Sequence, residues 1–349
     1  MTTIDPLRAT CPAPRAETER VLLGHGSGGR LMAELLAEVI APELDTPGPL
    51  EDAAVVGLGD TDVVFSTDGF VVTPRFFPGG DIGSLAVYGT VNDLAMRGAR
   101  PVALSLAYLL EEGFPMAELR AITASVAEAA RACGIPVVTG DTKVVGRGAA
   151  DGVYLTTTGI GVRLPDAWPS ASAGVPGDVV LVSGPIGAHG TAILSAREDL
   201  GFETAITSDS RPLHGLVAAM IGAGGADVHT LRDATRGGLA SALNELAEAS
   251  RVGVEIIEAD VPVPAQVASA CELLGLDPLH VANEGCLVAF VAPRSADAVL
   301  AAMRDDPAGR EARVIGHVTG DPGRVTARTL VGASRIVDML VGEQLPRIC

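Results

Sequence analysis

Lysine is nearly missing from this chain of 349 residues: of its 25 basic side chains, every one but Lys143 is arginine. Aromatic residues are also scarce, at 3%. A core must therefore be assembled from Ala, Val, Leu and Ile, packed closely with the help of 42 glycines. Positive charge is outweighed, and the net charge is −18. That excludes nonspecific binding to nucleic acid or anionic membranes, which needs a basic surface. It is compatible with divalent cations held at carboxylates. Cysteines are few and odd in number: Cys11, Cys133, Cys271, Cys286 and Cys349. None forms a CxxC pair, so no disulfide framework or zinc motif is indicated, and a reducing cytoplasm is the expected location. No apolar run approaches the ~18–20 residues of a membrane span. No basic n-region with an apolar h-region opens the sequence, so no signal peptide is expected.

What is present is an alternation of apolar runs and helical periods. Residues 1–44 read as a flexible arm, a glycine-rich loop "GHGSGGR" and a helix with Leu31, Leu35 and Val39 on one face. Residues 45–165 read as a first domain. "AAVVGL" and "DVVFSTD" are strands, residues 81–99 a closely packed helix, and 102–110 a buried strand. Pro115 and Gly134 bracket an amphipathic helix. "IPVVTGDTKVV" reads as another buried strand. "RLPDAWPSASAGVPG" is rich in Pro, Ser and Gly and reads as a linker. Residues 175–321 restart the pattern as a second domain. From 322 the periodicity is lost, and 322–349 reads as a mobile tail ending in Cys349. The expected fold is α/β (α+β), with two two-layer domains.

The chemistry sits at the ends of these runs. Asp52, Asp68, Asp93, Asp141 and Asp233 each follow an apolar run or open a helix. Singly, each reads as a turn residue or an N-cap. Together they form an oxygen-rich set of the kind that holds Mg²⁺ beside phosphates. Gly-rich stretches at 24–30, 76–83 and 233–238 offer backbone N–H groups to phosphate. No Walker A spacing and no Rossmann fingerprint occurs. Lys143 is either a plain surface lysine or a compact charge placed to neutralise phosphate. Glu284, in "ANEG", is either a turn acid or a general base. His25 is a loop histidine or a phosphate contact. The remaining histidines show no ligand spacing. Cys133, Cys271 and Cys286 read as small core residues.

These motifs resemble a known family. "HGSGG", "EDAAVV", "STDGFVVTPRFFPGGDIG", "VNDLAMRGA", "GDTKVV", "DATRGGLA", "ANEG" and the final "PRIC" look like the HypE family, the carbamoyl dehydratases of [NiFe]-hydrogenase maturation. The acidic motifs alone indicate the wider superfamily of aminoimidazole ribonucleotide synthetase, selenophosphate synthetase and thiamine-monophosphate kinase. The resemblance implies ATP and Mg²⁺ as cofactors and a homodimer whose N-terminal domains form a dimeric β-barrel. It implies that Cys349 receives a carbamoyl group from a carbamoyltransferase partner. ATP-dependent dehydration then leaves a thiocyanate, whose cyanide passes to an iron-carrying scaffold complex of HypC-HypD type. The roles it implies are Cys349, Lys143, Glu284 and Asp141 in catalysis. His25, Gly26, Ser27, Gly28, Gly29, Asp68, Asp93, Asn92, Thr142 and Arg236 bind ATP. Asp52, Asp68, Asp93, Asp141 and Asp233 hold metal. Two other readings compete: a kinase or synthetase acting on a free small molecule, and a non-catalytic carrier that displays a modified thiol.

Overall fold

The computed structural model describes residues 20–44, 50–59, 61–166, 168–198, 206–342, 345 and 347–349. The expected arm and Cys11 fall in 1–19, outside the described residues. The glycine-rich loop leads into α1 (Arg30–Leu35), and a π-turn at Leu36–Ile40 carries it into α2 (Ala41–Glu43).

The first domain is a five-stranded sheet backed by two helices. Its strands are β1 (Ala54–Leu58), β2 (Thr61–Phe70), β5 (Ala99–Glu111), β6 (Val137–Val145) and β7 (Val153–Arg163), ordered β1-β2-β7-β5-β6. A small ribbon, β3 (Phe76–Phe77) and β4 (Gly80–Asp81), precedes α3 (Ile82–Met96). Asp81 starts that helix, its Oδ1 accepting from the N–H groups of Gly83 at 2.7 Å and Ser84 at 3.0 Å. Such a cap contributes about 1 kcal/mol. α3 is apolar nearly all round, as befits a helix with neighbours on every side. Ile82, Leu85 and Val91 pack in the first-domain core, while Ala95 and Met96 pack against Leu213 and Leu231 of the second domain. α4 (Met116–Ala132) lies beside α3 and buries only one stripe, Ile122, Val126, Ala129 and Ala130.

The second domain has seven strands: β8 (Val179–Val182), β9 (Val228–Asp233), β10 (Gly253–Ile257), β11 (Leu287–Val291), β12 (Arg313–Thr319), β13 (Val325–Arg328) and β14 (Ser334–Ile336), ordered β14-β13-β10-β12-β8-β11-β9. Its helices are α5 (Ala188–Arg197), α6 (His214–Gly224), α7 (Gly238–Ser250), α8 (Ala265–Leu274) and α9 (Pro293–Asp305). β11, an inner strand between β8 and β9, is buried at every position. No helix among the described residues is long and apolar enough to cross a membrane.

Three expectations change. Residues 322–349 are not without regular structure: β13 and β14 complete the sheet, with Val325 and Ala327 buried. Four residues of alternation are too short to register as a strand in the sequence. β6 is not buried but exposed along nearly its whole length, because it is an edge strand paired to β5 alone. The five-stranded sheet is open, with β1 and β6 as edges, and no closed barrel is found among the described residues.

Candidate active site

A cavity of about 630 Å³ opens between the two domains. Asp68, Asp93, Asp233, Arg236, Glu284 and Cys349 all reach it. Each arrives from a different element. Asp68 sits near the end of β2 and Asp93 on the last turns of α3. Asp233 ends β9, and Asp52 lies just before β1. In the β9–β11 pairing, Asp233 stands opposite Leu287, which brings the Glu284 turn to the same end of the sheet.

Asp52, Asp93 and Asp233 place carboxylate oxygens within 4.8 Å of one another. Ser66 donates to Asp93 Oδ2 at 2.7 Å, and Thr90 to Asp68 Oδ2 at 3.1 Å. Arg232 opposes this concentration of acid, 3.2 Å from Asp52 and 2.5 Å from Glu245. It is not enough. Burial, followed by the neighbouring carboxylates, holds Asp93 well above the usual carboxylate range. Asp233 is raised too, by burial and then by Asp52. Burial raises Asp52 from 3.8 to about 6 despite Arg232. A divalent cation with oxygen ligands relieves such an excess of negative charge.

The metal-free protein has a predictable pH dependence. A folded state that binds protons more tightly than the unfolded chain loses stability as pH rises through the gap between the two pKa values. For Asp52 that gap runs from 3.8 to about 6. Urea denaturation on either side of this window should show lower stability at the higher pH, by on the order of 1–3 kcal/mol. Asp52→Asn should flatten the difference, and an unchanged slope would mean that Asp52 is not a strained carboxylate.

Glu284 is buried, and its Oε1 has no hydrogen-bond partner among the described residues. The turn that carries it is held by Asp209, whose two oxygens accept from the N–H groups of Glu284 at 3.1 Å and Gly285 at 3.0 Å. A Cβ on Gly285 would collide with the Asp209 carbonyl, so the turn demands glycine. Burial, then Asp233 and Asp209, hold the Glu284 carboxyl well above its ordinary value. Arg236 is the opposing cation and anchors to the Gly26 carbonyl at 2.8 Å. Gly28, at φ +76°, allows that approach: a Cβ there would lie 2.6 Å from Arg236 Cβ.

Cys349 reaches the cavity at the end of a segment held by backbone hydrogen bonds. The Val71 N–H donates to the Cys349 carbonyl oxygen at 3.0 Å, and the Thr73 N–H to the Arg347 carbonyl at 3.1 Å. Ile348 is buried, and Arg347 pairs with Asp151 at 2.6 Å. Burial pushes the Cys349 thiol up to about 12, with Arg236 pulling the other way and Glu284 adding to the rise. Seated here it is a thiol and not a thiolate, so it is not an activated nucleophile.

Several expected site residues lie elsewhere. His25 folds back on its own turn, its Nδ1 taking the Leu22 N–H at 2.9 Å. Ser27 donates to the Gly24 carbonyl at 2.7 Å, and of the loop glycines Gly28 and Gly29 line the cavity. Asn92 is buried and clasps the 211–213 segment: its Oδ1 accepts from Leu213 N–H at 2.8 Å, and its Nδ2 donates to the Arg211 carbonyl at 3.1 Å. Asp141, Thr142 and Lys143 stand on exposed β6, outside the cavity of their own chain, with Asp141 and Lys143 paired at 2.6 Å. Sequence reasoning missed Arg232, Glu245 and Asp209. Only Arg232 had a signal, as a basic residue beside Asp233 at the end of a strand.

Residues 50–163 match the AIR synthase related protein N-terminal domain, and residues 175–328 match the corresponding C-terminal domain. Carbamoyl dehydratase HypE of Rhizobium leguminosarum bv. viciae is 53% identical over 334 residues, 95% of each chain. The solved HypE–HypF complex contains a chain 47% identical, with a TM-score of 0.84, covering 88% of this chain and 99% of that one. The solved structure of hydrogenase maturation protein HypE in complex with ATP is 46% identical, with a TM-score of 0.80, covering 95% of this chain and 100% of that one. The chain belongs to the HypE family, within the AIR synthase related proteins.

Proposed function

We propose that this chain catalyses the ATP-dependent dehydration of an S-carbamoyl group on its own Cys349 to an S-cyano group. The carrying observation is that Cys349 shares one cavity with Glu284, Arg236 and the carboxylate cluster. A thiol delivered to a kinase-like site is substrate and side chain at once. The related HypE that was solved with ATP supports placing the nucleotide here. Met32, Leu36 and Leu50 give the cavity an apolar wall for a base, while Gly28, Gly29 and Arg236 face the other end.

The donor set is all carboxylate oxygen, which suits Mg²⁺ over metals that seek thiolate or imidazole. Asp52, Asp93 and Asp233 would hold it, with Asp68 beside them. When bound, it neutralises and orients the triphosphate. The carbamoyl oxygen attacks the γ-phosphoryl group and ADP leaves, which converts a poor leaving group into phosphate. The nitrogen gives up its two protons, the C–O bond breaks, and a nitrile remains on sulfur. Glu284, a stronger base than an ordinary glutamate, is placed to take a proton. Arg236 stabilises the negative charge of the departing phosphate. The former carbamoyl oxygen must therefore leave in inorganic phosphate. A heavy-oxygen label in the carbamoyl group should appear in phosphate, and its appearance in water instead would exclude this route.

The open sheet supports a homodimer. Phe65 on β2 and Ile160 on β7 stand directly opposite one another, 42% and 39% exposed. On the unpaired strand β6, Val138 and Val144 are 63% and 66% exposed. A second copy that covers the Phe65–Ile160 face and packs along the free edge at β6 buries both sets and closes the dimeric barrel. Lys143, Asp141 and Thr142 keep their proposed roles at phosphate only in such a dimer, since their own cavity lies elsewhere. Ile160→Asp should shift the protein to monomer by light scattering and lower its dehydration rate. A dimer unaffected by Ile160→Asp would place the interface elsewhere. The HypE–HypF complex supports a carbamoyltransferase as the source of the carbamoyl group. A HypC-HypD type scaffold is the proposed cyanide acceptor.

A further inference from the structure

We propose that His189 is the positioning residue that seats Cys349 in the cavity, by donating from Nε2 to the carbonyl of Ile348. The contact is 2.6 Å long. Arg347 has a left-handed backbone at φ +53°, so the segment turns just before its last two residues. Val71 and Thr73 bind the carbonyls of Cys349 and Arg347, and Arg197 also donates to the Arg347 carbonyl at 2.9 Å. His189 takes the intervening carbonyl, so the backbone oxygens of all three last residues are held, and Cys349 stays in the cavity that it shares with Glu284.

The protonation of the ring follows from its partners. The Ser208 hydroxyl oxygen accepts from the Ser210 N–H at 3.1 Å and lies 2.8 Å from His189 Nδ1. Its proton goes to Nδ1, which leaves Nε2 as the donor that a carbonyl requires. Burial holds the imidazole below the ordinary histidine pKa, and the edge of the ring meets Phe77 at 5.5 Å. His189 is fully buried on α5. When the segment leaves, Nε2 loses its acceptor inside the protein, which favours return. Next to Ser208, Asp209 holds the Glu284 turn, so one short segment sets both the seat and the base.

The inference deepens the dehydratase reading and rests on it for its catalytic consequence, but its structural part is tested separately. Cys349 is alkylated with iodoacetamide in the full-length protein without nucleotide, and labelling is read on the terminal peptide. His189→Phe, which keeps a ring and removes the donor, should speed labelling about tenfold. His189→Gln, whose amide can donate to the same carbonyl, should stay within about twofold of the original protein. Ser208→Ala, which removes only the partner of Nδ1, should fall between them and serves if the phenylalanine variant does not fold. In the carbamoylated protein, His189→Phe should lower kcat for water loss about tenfold, with KM for ATP unchanged. Unchanged labelling in folded His189→Phe, or equal effects of Phe and Gln, would overturn the seat. Faster labelling together with no dehydration by the unsubstituted protein would leave the seat standing and remove the dehydratase reading.

Discussion

Cys349→Ala is expected to abolish dehydration and leave nucleotide binding intact. The sulfur is the attachment point of the substrate, so its removal deletes the reactant and not merely a rate factor. No other thiol can replace it among the described residues, since Cys133, Cys271 and Cys286 are buried. Burial also raises the pKa of Cys133 to about 12 and of Cys286 to about 11, which keeps them inert. The groups proposed to face ATP come from the loop before α1 and from the cavity walls, and none depends on the sulfur. A thermal shift on adding MgATP should therefore match that of the unsubstituted chain. Phosphate release coupled to the carbamoyl donor should fall to background. A kinase acting on a free small molecule predicts the opposite, with turnover retained in Cys349→Ala.

Glu284→Gln should lower kcat by about 10²–10⁴-fold, the usual contribution of a positioned base. The loss should not come from unfolding. The turn is held through backbone N–H groups on Asp209, which an amide side chain leaves in place. The buried charge is disfavoured by burial and by Asp233 and Asp209, so neutralising it should leave the fold as stable or make it more so. Equal stability in urea with a collapsed rate would identify Glu284 as the base. A rate within about threefold of the original would assign proton removal to another group. A carrier without catalysis predicts no effect on the modified state of the cysteine.

The acids that converge on the cavity were legible because each stands in a short motif at the border of a strand or helix pattern. That signal is local, and so it does not separate Asp141, which stands outside the cavity of its own chain. Asp141, like Asp68, has a glycine beside it in a strand, but its strand lies at the edge of the sheet. Edge or centre is decided by pairing partners that no local pattern records. His25 and Asn92 stand outside the cavity lining for a related reason. Both are polar groups in glycine-rich or acidic motifs, and both spend their hydrogen bonds on the chain itself. The α3 helix was legible through its capping aspartate and dense apolar pattern. β9 was not, because "VHTLRD" intersperses polar residues in a short strand. The seat for the last residues was invisible: Ile348 meets a histidine 159 residues away. A segment that is too short for periodicity can still be held by hydrogen bonds from its backbone to residues distant in sequence.

The most direct measurement is the intact mass of the carbamoylated protein before and after MgATP. The dehydratase mechanism predicts the loss of one water from the carbamoylated form, located on the peptide bearing Cys349, with ATP consumed in equal amount. A carbamoylated protein that keeps its mass while MgATP is bound would contradict it.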